Sequence, residues 1–368
     1  MAEHTPTPTP DLAAAKAAFA DRVFRDLLGA VSIVGVTLGE NLGLYAALER
    51  DGAATSTELA ERAGIAERYA REWLEQQAAD GILALVEASS DPLHRRYELP
   101  EAHRDVLANR EDLDFMAPFA RLLMAGAAKL PEIAQAFRTG GGVGWDEYGP
   151  DMRESQGDAN RTLFLQGLRE YLEQLPDVHE RLVASDRPAR IAEVGSGMGW
   201  AAIGLAIAYP HVTVDGYDLD VPAVERARQH AHEASVADRV RFHAEDGAEA
   251  GGQYDLVLAL ECIHDLPDPV SVLASMRAMM APGGTCIVMD ERVGEEFSAP
   301  GDDVERLMYG YSLLVCLPDG LSHPASVGTG TVMRPPILQG YAEQAGFAGI
   351  ETLDALDHPF FRFYRLQP

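Results

Sequence analysis

Apolar and polar residues alternate along this chain with two different periods, and the switch between them divides it. In "ATSTELAERAG" Thr55 and Glu58 stand three apart ahead of apolar residues, a capping box that predicts a helix stopped by Gly64. "ERYAREWLEQQAADGIL" predicts a second helix with Tyr69, Trp73 and Leu74 on one face, ended by Gly81. "LALVEASSDPLHRRYELP" follows as two strand-like runs around a Ser-Asp-Pro turn. Upstream, "GAVSIVGVTLGENLGLYAAL" is apolar on more than one face. Helices followed by a hairpin, over residues 19–110, have the layout of a winged helix.

Residues 111–187 keep the helical period, with Leu163, Leu168 and Leu172 among the apolar positions of "NRTLFLQGLREYLEQL". The glycine cluster of "TGGGVGWDEYGP" interrupts them and reads as a loop or hinge, where Tyr148 could close as a lid. From residue 188 to 368 the period changes. "RIAEVG", "VTVDGYDL", "VRFHAED", "YDLVLALE" and "GTCIVMDE" are short β-rich runs, separated by helical stretches such as "PAVERARQHAHEA". That alternation predicts an α/β domain, a parallel sheet with helices on both faces. "GFAGIETLDAL" and "FFRFYRLQ" predict a closing antiparallel pair.

Composition narrows the partners. The 368 residues include 58 acids and 30 bases, a net charge of −28. Such a balance repels phosphate backbones and anionic lipids, so neither nucleic acid nor membrane is expected as a partner. Cys262, Cys286 and Cys316 show neither zinc nor disulfide spacing, which suits a reducing cytoplasm. No apolar run approaches the roughly 20 residues of a membrane span. "MAEHTPTPTPDL" lacks the pattern of a signal peptide, and its Thr-Pro alternation predicts an extended, disordered tail over residues 1–18.

The chemistry concentrates at strand ends. In "IAEVGSGMGW" an apolar run ends at Glu193, and Gly195, Gly197 and Gly199 follow at alternate positions. A dinucleotide fingerprint needs a third glycine where Trp200 stands, and no phosphate-binding G-x-x-x-x-G-K-[ST] loop occurs. Asp218 ends the second β-rich run, where a carboxylate can take both ribose hydroxyls. Asp246 follows the third, placed to accept from an adenine amino group, and Glu261 closes the fourth. Open α/β sheets bind ligands outside these carboxyl ends. "ECIHDLPD" then puts His264 and Asp265 at the cleft edge, and a histidine titrating near neutrality suits a general base.

An acid followed by G-x-G-x-G, with acids in order at the next strand ends, resembles the class I S-adenosylmethionine-dependent methyltransferases. The resemblance implies a Rossmann-like domain that binds S-adenosylmethionine. It implies Gly195 and Gly197 at the methionine end, Glu193 bracing the loop, Asp218 at the ribose and Asp246 near the adenine. Leu219, Gly247, Gly199 and Glu261 are grouped with them. The cofactor's positive sulfonium suits an acidic chain. "HDLPD" is similar to the "HDW-x-D" region of small-molecule O-methyltransferases that carry a winged-helix dimerisation domain, with Leu266 replacing the tryptophan. There the histidine deprotonates a hydroxyl, which implies His264 as base; Asp265 and Glu291 are grouped with it as catalytic candidates. "ECIHD", "VMDERV", "ERLMYGYSLLVCLP" and "GTGTVMRP" together resemble an actinobacterial group of winged-helix methyltransferases, which implies tailoring of small molecules in secondary metabolism.

Several alternatives stay open at this point. Asp290 or Glu291 could orient His264 or contact the acceptor, and Tyr309 and Tyr311 could roof the pocket. His264, Asp265 and His323 could hold a metal, as in a similar group of α-keto acid C-methyltransferases. A winged-helix regulator that senses the cofactor is the rival class. Against it, residues 20–110 hold sixteen acids and ten bases, net −6, and the expected reading helix carries Glu67, Glu72, Glu75 and Asp80 against Arg68 and Arg71. The expectation is therefore a homodimer formed through this domain.

Overall fold

A helix begins at Leu12 in the computed structural model, which describes residues 11–368. Residues 1–10 of the expected tail lie outside that range, but 12–18 are not extended. They open α1 (Leu12–Asn41), because "LAAAKAAF" is rich in strong helix formers and Asp11 Oδ1 accepts the Ala13 N–H at 3.0 Å. The chain divides into two units, Met1–Ala120 and Arg121–Pro368.

In the first unit, α1 is followed by α2 (Leu44–Asp51), α3 (Ser56–Ala63), α4 (Glu67–Ala79) and the antiparallel pair β1 (Ala84–Glu87) and β2 (Arg96–Glu98). The winged helix is therefore present. Thr55 and Glu58 form the capping box on α3, and Gly64 and Gly81 take the positive φ values that stop the helices. Trp73 and Leu74 are buried, but Tyr69 is 78% exposed, because it stands at the margin of the apolar stripe rather than within it. Gly35 and Gly39 let α4 approach α1: a Cβ at Gly39 would lie 2.8 Å from Trp73, whose Nε1–H donates to the Gly35 carbonyl at 2.8 Å. Elsewhere α1 is bare. Phe19, Val23, Phe24, Leu27, Leu28, Val31, Val34 and Leu38 are all exposed. No single helix among the described residues is long and apolar enough to cross a membrane, although α1 and α2 together pass that measure as a pair bent by 64°.

The helix α5 (Glu101–Leu107) ends the winged-helix region, and α6 (Ala117–Ala127) and α7 (Leu130–Thr139) follow. α8 (Trp145–Thr162) starts after the glycine loop. The break expected across "TGGGVGWDEYGP" is thus split, because Trp145–Tyr148 make a helical turn and Gly149, at φ +79°, kinks the helix ahead of Pro150. After a π-helical turn at 163–167 come α9 (Leu168–Glu173) and α10 (Pro176–Val183).

The sheet of the second unit contains β3 (Arg190–Val194), β4 (Thr213–Asp218), β5 (Val240–Ala244), β6 (Tyr254–Leu260), β7 (Met280–Glu291), β8 (Gly349–Thr352) and β9 (Phe361–Gln367). Their spatial order is β5-β4-β3-β6-β7-β9-β8, with β3 to β7 parallel and β8 and β9 antiparallel. This is the expected α/β arrangement. Its central strands β3 and β6, and β7 from Cys286 onward, are near-continuous buried runs because helices cover both faces, whereas β4 and β5 toward the edge are more polar. α11 (Trp200–Ala208) and α12 (Val221–Glu233) follow β3 and β4, and α13 (Pro269–Met279) follows β6. The strand order reverses between β3 and β6, so the carboxyl ends of these two strands border the crevice where such sheets hold ligands.

Candidate active site

Two chain segments enter that crevice. The first is the turn after β3. Gly195, Gly197 and Gly199 adopt φ values of +73°, +47° and +80°, a left-handed path that side chains disfavour. A Cβ at Gly195 would lie 2.6 Å from Cys262 Sγ, whereas one at Gly197 would meet nothing within 4 Å. Gly197 is thus where the backbone is open to a ligand. Gly199 differs: its Cβ position is filled by Phe242, 2.5 Å away, so its smallness serves packing.

Acids surround this turn as the sequence indicates. Glu193 is 3% exposed, and burial pushes its carboxyl up to about 8 against the Ala202 N–H it accepts, which suits a brace within the loop. Asp218 accepts the Gly197 N–H at 2.7 Å and the Asp220 N–H at 2.8 Å, which aligns its carboxylate beside the glycine turn. Leu219 next to it is 64% exposed, an apolar surface at the same strand end. Asp246 accepts the Ala248 N–H at 2.8 Å, and a Cβ at Gly247 would strike Val194 at 2.5 Å. Ser196 Oγ and Glu193 Oε2 are buried without partners. A cradle open at Gly197, ringed by aligned carboxylates and unpaired polar atoms, fits a cofactor with hydroxyl, amino and cationic groups.

The second segment follows β6. Glu261 has φ +53°, a strained value for a residue with a side chain, and accepts from the Asn160 amide of α8. Burial pushes Glu261 up to about 8. A short 3₁₀ turn over Ile263–Asp265 then aims His264 at the end of β7. His264 is 3% exposed and sits among three carboxylates: Asp290 Oδ1 lies 3.0 Å from Nδ1, Glu291 Oε2 3.2 Å from Nδ1, and Asp265 Oδ1 3.3 Å from Nε2. An ionised carboxylate can only accept, so Nδ1 carries the proton that points at Asp290 and Nε2 faces Asp265. Burial pulls His264 down, but Asp265, Asp290 and Glu291 outweigh it and hold its pKa well above the usual value. Burial raises Glu291, whereas the His264 charge keeps Asp290 below the ordinary carboxylate range. The arrangement is a base oriented by a buried acid, as in nucleophile–base–acid constellations.

The structure therefore brings His264, Asp265, Glu291 and Glu261 to one place and makes Asp290, left open by the sequence, the nearest partner of the histidine. His323 does not join them. It is exposed in the turn after α15 (Leu317–Gly320), so the alternative His-Asp-His set is not assembled. Cys316, in a π-helical turn at 312–316 between α14 (Asp303–Tyr311) and α15, stands there instead, its Sγ within 4.8 Å of ligand atoms of His264 and Asp265. Tyr309 is exposed and its hydroxyl accepts from Arg334, and Tyr148 is buried with its hydroxyl on the Leu314 carbonyl. Contacts from α8 had no local signal: Trp145 Nε1–H donates to Asp220 Oδ2 at 2.9 Å, and Arg153 pairs with the same carboxylate.

Comparison with known proteins gives the class of the chain. Residues 192–286 match a family model described as a methyltransferase domain, and residues 29–109 match an Rv2258c-like winged HTH domain. A ubiquinone biosynthesis O-methyltransferase of Aromatoleum aromaticum is 30% identical over 181 residues, covering 48% of this chain and 71% of that protein. A 27-O-demethylrifamycin SV methyltransferase of Amycolatopsis mediterranei is 33% identical over 175 residues, 46% of this chain and 56% of that protein. The solved structure of the mitomycin 7-O-methyltransferase MmcR shares the fold, with a TM-score of 0.70, 20% identity, and coverage of 97% of this chain and all of that one. The chain belongs to the class I S-adenosylmethionine-dependent methyltransferases. It is an enzyme that uses S-adenosylmethionine and carries an N-terminal winged helix.

Proposed function

We propose that the enzyme methylates a hydroxyl oxygen of a small molecule, with His264 as general base. The observation that carries this reading is the buried His264–Asp290 pair beside the Gly197 cradle, with Nε2 directed to the partly exposed Asp265. S-adenosylmethionine supplies an electrophilic methyl group on a positively charged sulphur. Glu193, Gly195, Gly197, Asp218, Leu219, Asp246, Gly247 and Glu261 would hold it, and Gly199 would fix the turn by packing. The remaining work is alignment and proton removal. His264 Nε2 takes the hydroxyl proton, Asp290 keeps the ring in the tautomer that exposes this nitrogen, and Glu291 backs that pair. The relatives' names, which specify oxygen as the acceptor atom, support the choice.

The winged helix serves as a dimer handle in this reading. Arg68 pairs with Glu72, Arg71 with Glu67 at 3.4 Å and Arg95 with Glu75 at 2.6 Å, which leaves little positive charge for phosphate. The apolar exposed face of α1 would be covered by a second copy in the cytoplasm.

Titration calorimetry with S-adenosylmethionine and turnover of His264→Ala test the reading together. Cofactor affinity should stay within a few-fold while turnover falls by roughly 10²–10⁴. Unchanged turnover would remove His264 from the mechanism.

A further inference from the structure

The acceptor side of the His264 cluster has more hydrogen-bond acceptors than donors. The imidazole is the shared ionic partner of Asp265, Asp290 and Glu291 and has only two ring nitrogens to offer. Asp265 Oδ1 and Glu291 Oε2 are consequently buried without a hydrogen bond. A buried acceptor without a donor is costly, and a ligand that brings the donor recovers that cost. Of these carboxylates Asp265 lies nearest the surface: its side chain is 34% exposed, against 1% for Asp290 and 6% for Glu291, with Oδ1 turned inward beside His264 Nε2. Cys316 also hydrogen-bonds the Asp265 carboxyl, but once His264 Nε2 is engaged with the reacting hydroxyl the unpartnered Oδ1 loses the N–H that faces it.

We infer, resting on the hydroxyl-methylation reading, that the acceptor carries a second hydrogen-bond donor, uncharged or cationic, next to the reacting hydroxyl, and that a carboxylate at that position is rejected. The cluster already resists its own charges. Burial holds Glu261 and Glu291 above their ordinary range, and Asp319 is raised to about 7 by burial with Asp265 adding to it. Asp265, Asp290 and Glu291 already share the single His264 cation, so these side chains leave no positive charge over for a ligand's anion beside Asp265. A neighbouring hydroxyl or amine, in contrast, donates to Asp265 Oδ1 the hydrogen bond it lacks.

The test is initial-rate measurement on the full-length protein with S-adenosylmethionine and matched acceptors, with products identified by mass spectrometry and NMR. Catechol, salicylamide and salicylate form one series, and cis-1,2-cyclohexanediol with 2-hydroxycyclohexanecarboxylate an aliphatic one. The donor-bearing member should exceed the carboxylate member in kcat/KM by about a hundredfold or more. Asp265→Asn, checked for unaltered cofactor binding, should reduce that ratio to below about tenfold. Carboxylates turned over within about threefold of the diols, or a ratio unmoved by Asp265→Asn, would overturn the inference and leave hydroxyl methylation standing. Methyl groups found on carbon or nitrogen, or no transfer to any member, would overturn the parent reading and this inference with it.

Discussion

The two units are incomplete in opposite ways. In the first, α1 carries apolar side chains on the outside: Phe24 is 60% exposed and Leu27 57%. In the second, the turn after β6 and the end of β7 carry charges on the inside, with His264, Asp290 and Glu291 all buried. Apolar surface left in water and polar atoms left without partners are both unfavourable, but different ligands relieve them. An extended apolar stripe is covered by another protein surface, whereas buried unpaired oxygens call for a small molecule with well-placed donors. In the proposed reading, polarity rather than fold thus separates an assembly surface from a chemical one in the same −28 chain.

The largest effect is expected where the apolar surface is broken. Phe24 and Leu28 stand one helical turn apart on α1, 60% and 49% exposed. Phe24→Asp with Leu28→Asp should weaken self-association by about 10³-fold or more, since each removes an anchor of a packed face and adds like charge across a two-fold axis. Light scattering should then give a monomer. A wild-type monomer, or a dimer that survives both changes, would reassign the α1 face.

A smaller effect is expected on the polar side, in the position of a pH profile. His264 is held protonated by its carboxylates, so the neutral base appears only as pH rises through its raised pKa. Turnover should climb above neutrality. Asp290→Asn removes one carboxylate that favours the imidazolium, so the rising limb should move toward acid, and kcat should fall by about 10²-fold as the ring loses its orienting partner. An unmoved limb would show that another group titrates in that limb.

Which of these features the sequence reveals follows from how local each one is. The glycine turn and the acids Asp218, Asp246 and Glu261 are legible because strand, turn and acid are contiguous. The Asp290 contact is not, because β6 and β7 must pair, Leu260 against Met289, before His264 and Asp290 meet. Asn160 reaches Glu261 across 101 residues, and Cys316 enters the cluster through a π-helical turn that periodicity does not signal. His323 fails for the same reason in reverse: spacing along the chain cannot show that a residue in the turn after α15 faces solvent. Residues 12–18 depart from the expected tail because the Thr-Pro repeat gives way at Asp11 to an alanine-rich segment with its own helical preference.

The contrast between filled and open space recurs within the single turn after β3, where the smallest effects are expected. Gly197 and Gly199 both have positive φ, so alanine at either strains the backbone by about 1 kcal/mol. Only Gly199 also meets Phe242, and Gly199→Ala should therefore cost a further 1–3 kcal/mol, about 2–4 °C in Tm for each kcal/mol in a unit of this size. Its cofactor affinity, measured below that transition, should hardly change. Gly197→Ala should behave in the opposite way, with little loss of Tm beyond the strain, and S-adenosylmethionine affinity reduced by about tenfold or more because its methyl enters space the ligand needs. If the two variants lost affinity equally, Gly199 would be a binding residue as well as a packing one. If Gly197→Ala bound the cofactor normally, the open side of the turn would face solvent, and the cradle would have to be sought on its other face.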